Sequence, residues 1–281
     1  MDIAPPDPSS YPPPPSDLLE AIAAGVCLAE QGPVTTAKIT FRESTAVVKY
    51  GPNVRLGEAL AMDFVQSVAS DIPVPTVIGV WRDSVAPCWY VVTEWVDAEN
   101  LQDVWSQMQQ PAKDELIDQL RRILQRLRSL VPPEGIFYVG SVGRSACTDP
   151  LVRDMGPYKD IKAFTDGLLE ISKPYFKWNY ISIVERLLSR THTYRIVFTH
   201  GDLHISNILV RPSADKPEYW EIAALIDWEC AGWYPEHWEY VKLLNSVKWK
   251  SDWAIAVQGL LERTYDEDFL LDSRMRFHLR I

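Results

Sequence analysis

His200-Gly201-Asp202-Leu203-His204-Ile205-Ser206-Asn207-Ile208-Leu209-Val210, followed about twenty residues later by Ile226-Asp227-Trp228-Glu229, is the stretch on which the reading of this chain turns. It holds one carboxylate, an amide five residues after it, and a second carboxylate closing the next apolar run. Phosphoryl transfer asks little covalent chemistry of a protein: a carboxylate to orient or deprotonate the attacking hydroxyl, and oxygen ligands for magnesium. Asp202 fits the first role. Asn207 and Asp227 fit the second, because magnesium keeps substrate phosphates and water in its remaining positions.

The local pattern gives that set a geometry. Ile196-Val197-Phe198 reads as a short buried strand delivering His200 to Asn207 as a loop, and Asn207 to Arg211 resumes an apolar strand. Trp220 to Ile226 reads as its partner, with Pro212 to Pro217 as the turn. Such a hairpin carries Asn207 and Asp227, at its open end, toward one metal ion. Each residue alone has a plainer role: Asp202 can cap a turn, and His200 can be a hydrogen-bonded core histidine. A metallohydrolase is a further alternative, since His200-x-Asp202-x-His204 has the look of a ligand cluster. The remaining histidines, His192, His237 and His278, stand at no spacing that completes a zinc site.

The segment resembles the catalytic loop of the aminoglycoside phosphotransferase and choline kinase family, whose pattern is His-Gly-Asp-x-His-x-x-Asn followed by Ile-Asp-Trp or Ile-Asp-Phe. The spacing from Asp202 to Asn207 also equals that of the protein-kinase loop. The continuation Glu229 to Glu236 resembles a branch of the family common in filamentous fungi. The resemblance implies an α+β, two-lobed protein-kinase-like fold: a small antiparallel-sheet N-lobe with one main helix, and a larger, mainly helical C-lobe. It implies ATP or another nucleoside triphosphate with Mg2+ as cofactors, and a hydroxylated small molecule as acceptor. By the same resemblance His200 fixes backbone rather than taking part in chemistry, and Glu239 anchors the catalytic loop.

The rest of the chain fits that plan. Residues 1–16 are dominated by proline and are expected to be an extended or disordered lead, 17–96 a nucleotide-binding lobe, and 97–281 a catalytic and substrate-binding lobe. Leu18 to Leu28 reads as a first helix, with Gly25 a weak point. Val34 to Phe41 and Thr45 to Tyr50 read as a hairpin whose second strand ends in Lys49, an odd residue for a buried strand. In kinases a lysine so placed reaches the α- and β-phosphates. Between Gly32 and Lys49 there is no glycine, so no Gly-rich loop covers the phosphates, and Thr35 to Thr45 are the residues left to close over the nucleotide.

Leu56 to Ser70 has a helical apolar period, with Glu58 in its first turn. Glu58 either complements the helix dipole or pairs with Lys49 as the kinase glutamate does. Thr76 to Trp81 and Trp89 to Val92 read as strands, and Thr93 to Leu101 resembles the hinge, where the backbone groups of Glu94 and Val96 face adenine. Pro111 to Pro132 brackets the clearest amphipathic helix, whose arginines read as a solvated face. Gly135 to Asp160 lacks periodicity, and loops of that length are often functional, so acceptor contacts are expected there. Ile161 to Lys173 and Ile181 to Ser189 read as helices, as does the run after Pro235 carrying Trp238, Val241, Leu244 and Val247. The tryptophans around them read as a packed lobe rather than a binding box.

Composition narrows the partners. With 28 Lys and Arg against 38 Asp and Glu, the net charge of −10 argues against nucleic acid, whose phosphates need clustered cations. Cys27, Cys88, Cys147 and Cys230 form no C-x-x-C pair and read as free thiols of a reducing compartment. No run has the length of a membrane span. The expectation is a cytoplasmic protein, monomeric or weakly dimeric, that is either an active kinase of small alcohols or a nucleotide-binding scaffold that has lost transfer.

Overall fold

The computed structural model describes residues 7–279, so the first six residues of the proline-rich lead and the last two residues of the chain lie outside the described residues. The N-terminal lobe runs α1 (Ser16–Ala23), β1 (Val26–Gln31), β2 (Val34–Phe41), β3 (Ser44–Gly51), α2 (Leu56–Val68), β4 (Val77–Arg82) and β5 (Trp89–Glu94). Its strands form one antiparallel sheet in the order β1-β2-β3-β5-β4. Leu18 of α1 packs on one face of that sheet with Ile39, Phe41, Val48 and Val92. Ala59, Met62 and Val65 turn the apolar face of α2 inward, toward Val91 and the second lobe.

Two expectations need correction here. The first helix ends at Ala23, and Val26 to Gln31 is a strand paired with β2, Gln31 opposite Val34. All six β1 side chains are exposed, so no alternation marks the strand, and its ladder alone holds it. The lid expectation changes with it. Lys49 pairs with Thr36, near the Gly32-Pro33 turn between β1 and β2, whereas the Arg42-Glu43 turn closes the opposite end of the same strands. The turn beside Lys49 therefore does contain a glycine. Gly51 seats it: at φ +141 a Cβ there would meet the Pro33 carbonyl oxygen at 2.0 Å.

The described part of the lead is not loose. The Arg82 N–H donates to the Pro12 carbonyl at 3.0 Å, and Tyr11 meets the Trp89 ring edge-on at 5.2 Å. β4 is the outer strand of the sheet, and a proline segment covers such an edge without offering a new one.

The second lobe continues with β6 (Glu99–Asn100), α3 (Leu101–Val104), α4 (Gln110–Arg128), β7 (Gly140–Ser141), α5 (Ile161–Ser172) and α6 (Trp178–Ser189). Then come β8 (Ile196–Thr199), β9 (Ile208–Pro212), β10 (Trp220–Leu225), β11 (Gly232–Pro235), α7 (Trp238–Ser246), α8 (Asp252–Gln258) and α9 (Asp266–Leu279). Leu116, Leu120, Leu124 and Leu127 place the leucines of the α4 stripe in the core, each burial contributing roughly 1.5–3 kcal/mol. The expected hairpin of β9 and β10 is present and gains β6 as a third strand. β8 pairs with β11, and β11 with β7, so the chain on both sides of the catalytic loop is fixed by strand pairing. No described helix is long and apolar enough to cross a membrane.

Candidate active site

The catalytic loop leaves β8 through Gly201 in a left-handed conformation, φ +80, pressed against the Cys230 carbonyl; a Cβ there would come within 2.6 Å of that oxygen. Glu239, at the start of α7 and 2% exposed, accepts the His200 N–H at 2.7 Å and the Gly201 N–H at 3.3 Å. Burial pushes its carboxyl up to about 7, against the two N–H donors and Arg128, which favour the ionised form. The anchoring expected of Glu239 thus has a definite geometry.

His200 is fully buried. Its Nε2–H donates to the Ile226 carbonyl at 3.1 Å, and its Nδ1 accepts the Asp202 N–H at 3.3 Å. Burial drives its pKa down to about 4, so the ring is neutral and ties the loop to the end of β10. His204 Nδ1 accepts from the Ser206 N–H at 3.3 Å and the Ser206 hydroxyl at 2.8 Å, capping the short turn that ends at Asn207. Both histidines spend ring nitrogens on the loop. Among the described residues, the His, Cys, Asp and Glu side chains close enough to share a metal are Glu58, Asp227 and Glu229, with no histidine in the set. That geometry gives a zinc hydrolase no support.

Asn207 donates its Nδ2 to the Asp202 backbone carbonyl at 2.8 Å and to Asp202 Oδ2 at 3.2 Å, which leaves the amide oxygen as the free end. The backbone carbonyl of Asn207 accepts the Ile226 N–H at 3.0 Å, so the hairpin does bring Asn207 beside Asp227. Asp227 itself has φ 65 and ψ 62, a left-handed turn that aspartate tolerates better than most residues. Burial, together with Asp227 and Glu229, pushes the Asp202 carboxyl up to about 7.

From the other lobe comes Lys49. Its Nζ lies 2.7 Å from Asp227 Oδ1, 3.0 Å from Glu58 Oε2 and 3.1 Å from Glu229 Oε2. Burial works against that charge, but Glu58, Asp227 and Glu229 outweigh it and hold the ammonium well above the usual lysine range. Glu58, 5% exposed, is pushed up to about 7 by burial, with Lys49 opposing and the two other carboxylates adding. Lys49 and Glu58 therefore pair as the kinase-like reading expected. Glu229 is the member that the sequence reading left without a role; the signal was a second acid two residues after Asp227.

The hinge is less open than expected. The Glu94 N–H donates to the Thr76 carbonyl at 2.9 Å, leaving only the Glu94 carbonyl for a ligand. Among the described residues no acceptor meets the Val96 N–H. Asn100 then clamps hinge to loop, its Nδ2 donating to the Ser206 carbonyl at 2.7 Å. A cavity of about 740 Å3 lies at the other end of β8 and not at this cleft.

A search of curated protein sequences finds none that matches this chain. Solved structures do. A thermostable mutant of the aminoglycoside phosphotransferase APH(4)-Ia, in ternary complex with AMP-PNP and hygromycin B, is 13% identical, with TM-score 0.59 over 94% of this chain and 86% of that one. The GDP complex of aminoglycoside 2'-phosphotransferase-IIIa is 15% identical, with TM-score 0.57 over 89% and 81%. Aminoglycoside-3'-phosphotransferase of type VIII is 18% identical, with TM-score 0.55 over 92% and 97%. These likenesses establish the protein-kinase-like α+β fold. The sequence profile of the phosphotransferase enzyme family matches residues 55–278, from the start of α2 through the catalytic loop and Asp227 to α9. By that match the chain belongs to the phosphotransferase enzyme family.

Proposed function

We propose that the protein transfers the γ-phosphoryl group of ATP, or of another nucleoside triphosphate, to a hydroxyl of a small molecule, with Mg2+ as the required ion. The observation that carries this reading is the meeting of Lys49 from β3 with Asp227 from the hairpin, beside an Asp202 already bonded to Asn207. The donor set suits the ion. Glu58, Asp227 and Glu229 offer carboxylate oxygens within 4.8 Å of one another, and Asn207 adds an amide oxygen, all hard ligands of the kind magnesium takes. Asn207, Asp227 and Glu229 would hold it, with Glu58 keeping Lys49 directed at the phosphates. When bound, magnesium neutralises charge on the phosphate oxygens.

Asp202 orients the acceptor hydroxyl and takes its proton. A carboxyl near 7 is a better base than an ordinary aspartate and still ionises at neutral pH. The Glu94 carbonyl and the Val96 N–H face adenine, a flat ring that reads one acceptor and one donor on an extended strand. The loop from Gly135 to Asp160 flanks the acceptor side. Support for a nucleotide comes also from the fold relatives, described with AMP-PNP and with GDP. The acceptor is a hydroxylated small molecule, and the chain works as a monomer or weak dimer in the cytoplasm.

Calorimetric titration with ATP, with and without Mg2+, tests the reading. We expect binding that needs the ion and that weakens at least about tenfold in Asp227→Asn, the size of one lost charge-assisted contact. Equal ATP affinity with and without Mg2+, and in the variant, speaks against it.

A further inference from the structure

The 740 Å3 cavity opens between the end of α4, the start of α5 and the entry to β8. Its size falls in the range of about 300–1,000 Å3 typical of small-molecule sites. It is separate from the cleft, since β8 runs away from it from Ile196 to Thr199 before the chain reaches His200. Leu130, Ile161, Ile196 and Val197 line its floor. Val131 and Phe137 stand in its wall, 58% and 44% exposed, in a lobe that buries Trp228, Trp233 and Trp238 almost completely. Apolar side chains left open around a hollow mark a surface that binds something.

Cations outnumber carboxylates around this hollow. Arg128, Lys162 and Arg195 line it, in a chain whose net charge is −10. The carboxylate in the lining, Asp160, is committed as the N-cap of α5, accepting the Ala163 N–H at 2.7 Å. Arg195 pairs with Glu236 at 2.9 Å and Lys162 with the exposed Asp166 at 2.7 Å. Arg128 gives one N–H to the Glu236 carbonyl at 2.8 Å, and a guanidinium carries five. A planar fork of that kind matches a carboxylate better than a lysine does.

We propose that this groove is a second ligand site, and that it takes a small amphiphilic anion: a carboxylate on a hydrocarbon body, the body on Leu130, Ile161 and Ile196, the carboxylate at Arg128 and Arg195. The site is independent of which acceptor the cleft phosphorylates.

Octanoate is the probe, titrated calorimetrically into the full chain, with 1-octanol as the uncharged control. We expect saturable one-to-one binding of octanoate, weakened by salt and tighter than that of octanol. Arg195→Gln and Val131→Asp each weaken it at least about tenfold, the loss of one charge-assisted contact or the gain of one repulsion. Val131 is exposed and outside the catalytic loop, so its variant keeps the fold, and an unchanged thermal midpoint verifies that. Absence of saturable octanoate binding overturns the proposal, as does binding unaffected by both substitutions. Octanol binding as tightly assigns the groove to an uncharged apolar molecule, and a dimer in sedimentation that Val131→Asp dissociates assigns it to a second copy. Either result also overturns the proposal.

Discussion

Asp202 lies buried beside Asp227 and Glu229, and its carboxyl titrates near 7 rather than at the ordinary 3.8. Between those two values the folded chain binds more protons than the unfolded one, so this group's contribution to stability falls as pH rises through that window. Above it the full cost of an ionised, desolvated carboxylate is present. Asp202→Asn removes that cost. The variant is expected to melt roughly a few degrees higher than the wild type at pH 8 and at nearly the same temperature at pH 4, measured by calorimetry. Under the role proposed for Asp202, function and stability pull apart at this residue. Glu239 behaves in the opposite way. Glu239→Ala leaves the buried His200 and Gly201 N–H groups without their acceptor, a loss on the order of 2–4 kcal/mol in denaturant unfolding, whereas Glu239→Gln keeps one acceptor oxygen and loses less. That Asp202, Asn207 and Asp227 come together was readable because residue type and spacing in the motif, with the hairpin pattern, restrict where they can stand. Glu229 was not, since its place at Lys49 depends on where β3 stands in the other lobe.

Strands and helices were legible where burial imposes a period. α4, with its unbroken leucine stripe, and the β9–β10 hairpin follow the apolar pattern closely. β1 escaped because its side chains are all exposed and only backbone pairing makes it a strand, and β7 and β11 escaped because Gly140, Gly232 and Pro235 carry no strand preference. The loop between β7 and α5 is held by charge rather than by period. Asp149, fully buried, meets Lys242 of α7 at 3.0 Å and Arg276 of α9 at 3.4 Å, and Asp272 of α9 meets the same two cations at 3.3 and 2.8 Å. A lysine inside the apolar run of α7 was the visible signal. Lys242→Met leaves two buried carboxylates with one cation, and equilibrium unfolding is expected to show a loss of roughly 3–5 kcal/mol.

At the scale of the whole molecule, α2 and the segment after it are tied to the second lobe. Arg55 at its start forms two contacts with Asp154, at 3.1 and 3.4 Å. Arg126 of α4 bonds the Val68 carbonyl at its end, 3.1 Å away, and the Leu225 N–H donates to the Pro73 carbonyl just beyond it at 2.9 Å. The helix carrying Glu58 is thus fixed against the catalytic lobe, which keeps Lys49 over Asp227. A sequence read by local pattern indicates both lobes and their order, but not these ties, since each joins residues far apart in the chain.

The central claim is that Asp202 directs a hydroxyl at a phosphoryl group held by Lys49, Asn207 and Asp227. Its most direct measurement is the transfer of label from γ-labelled ATP to a library of hydroxylated small molecules, for the wild type and for Asp202→Asn. The account predicts Mg2+-dependent label on at least one alcohol with the wild type, and a loss of at least about a hundredfold in the variant, the weight of a positioned general base, with ATP still bound. Label transferred equally well by Asp202→Asn, or ATP bound by the wild type without transfer to any alcohol in the library, contradicts it.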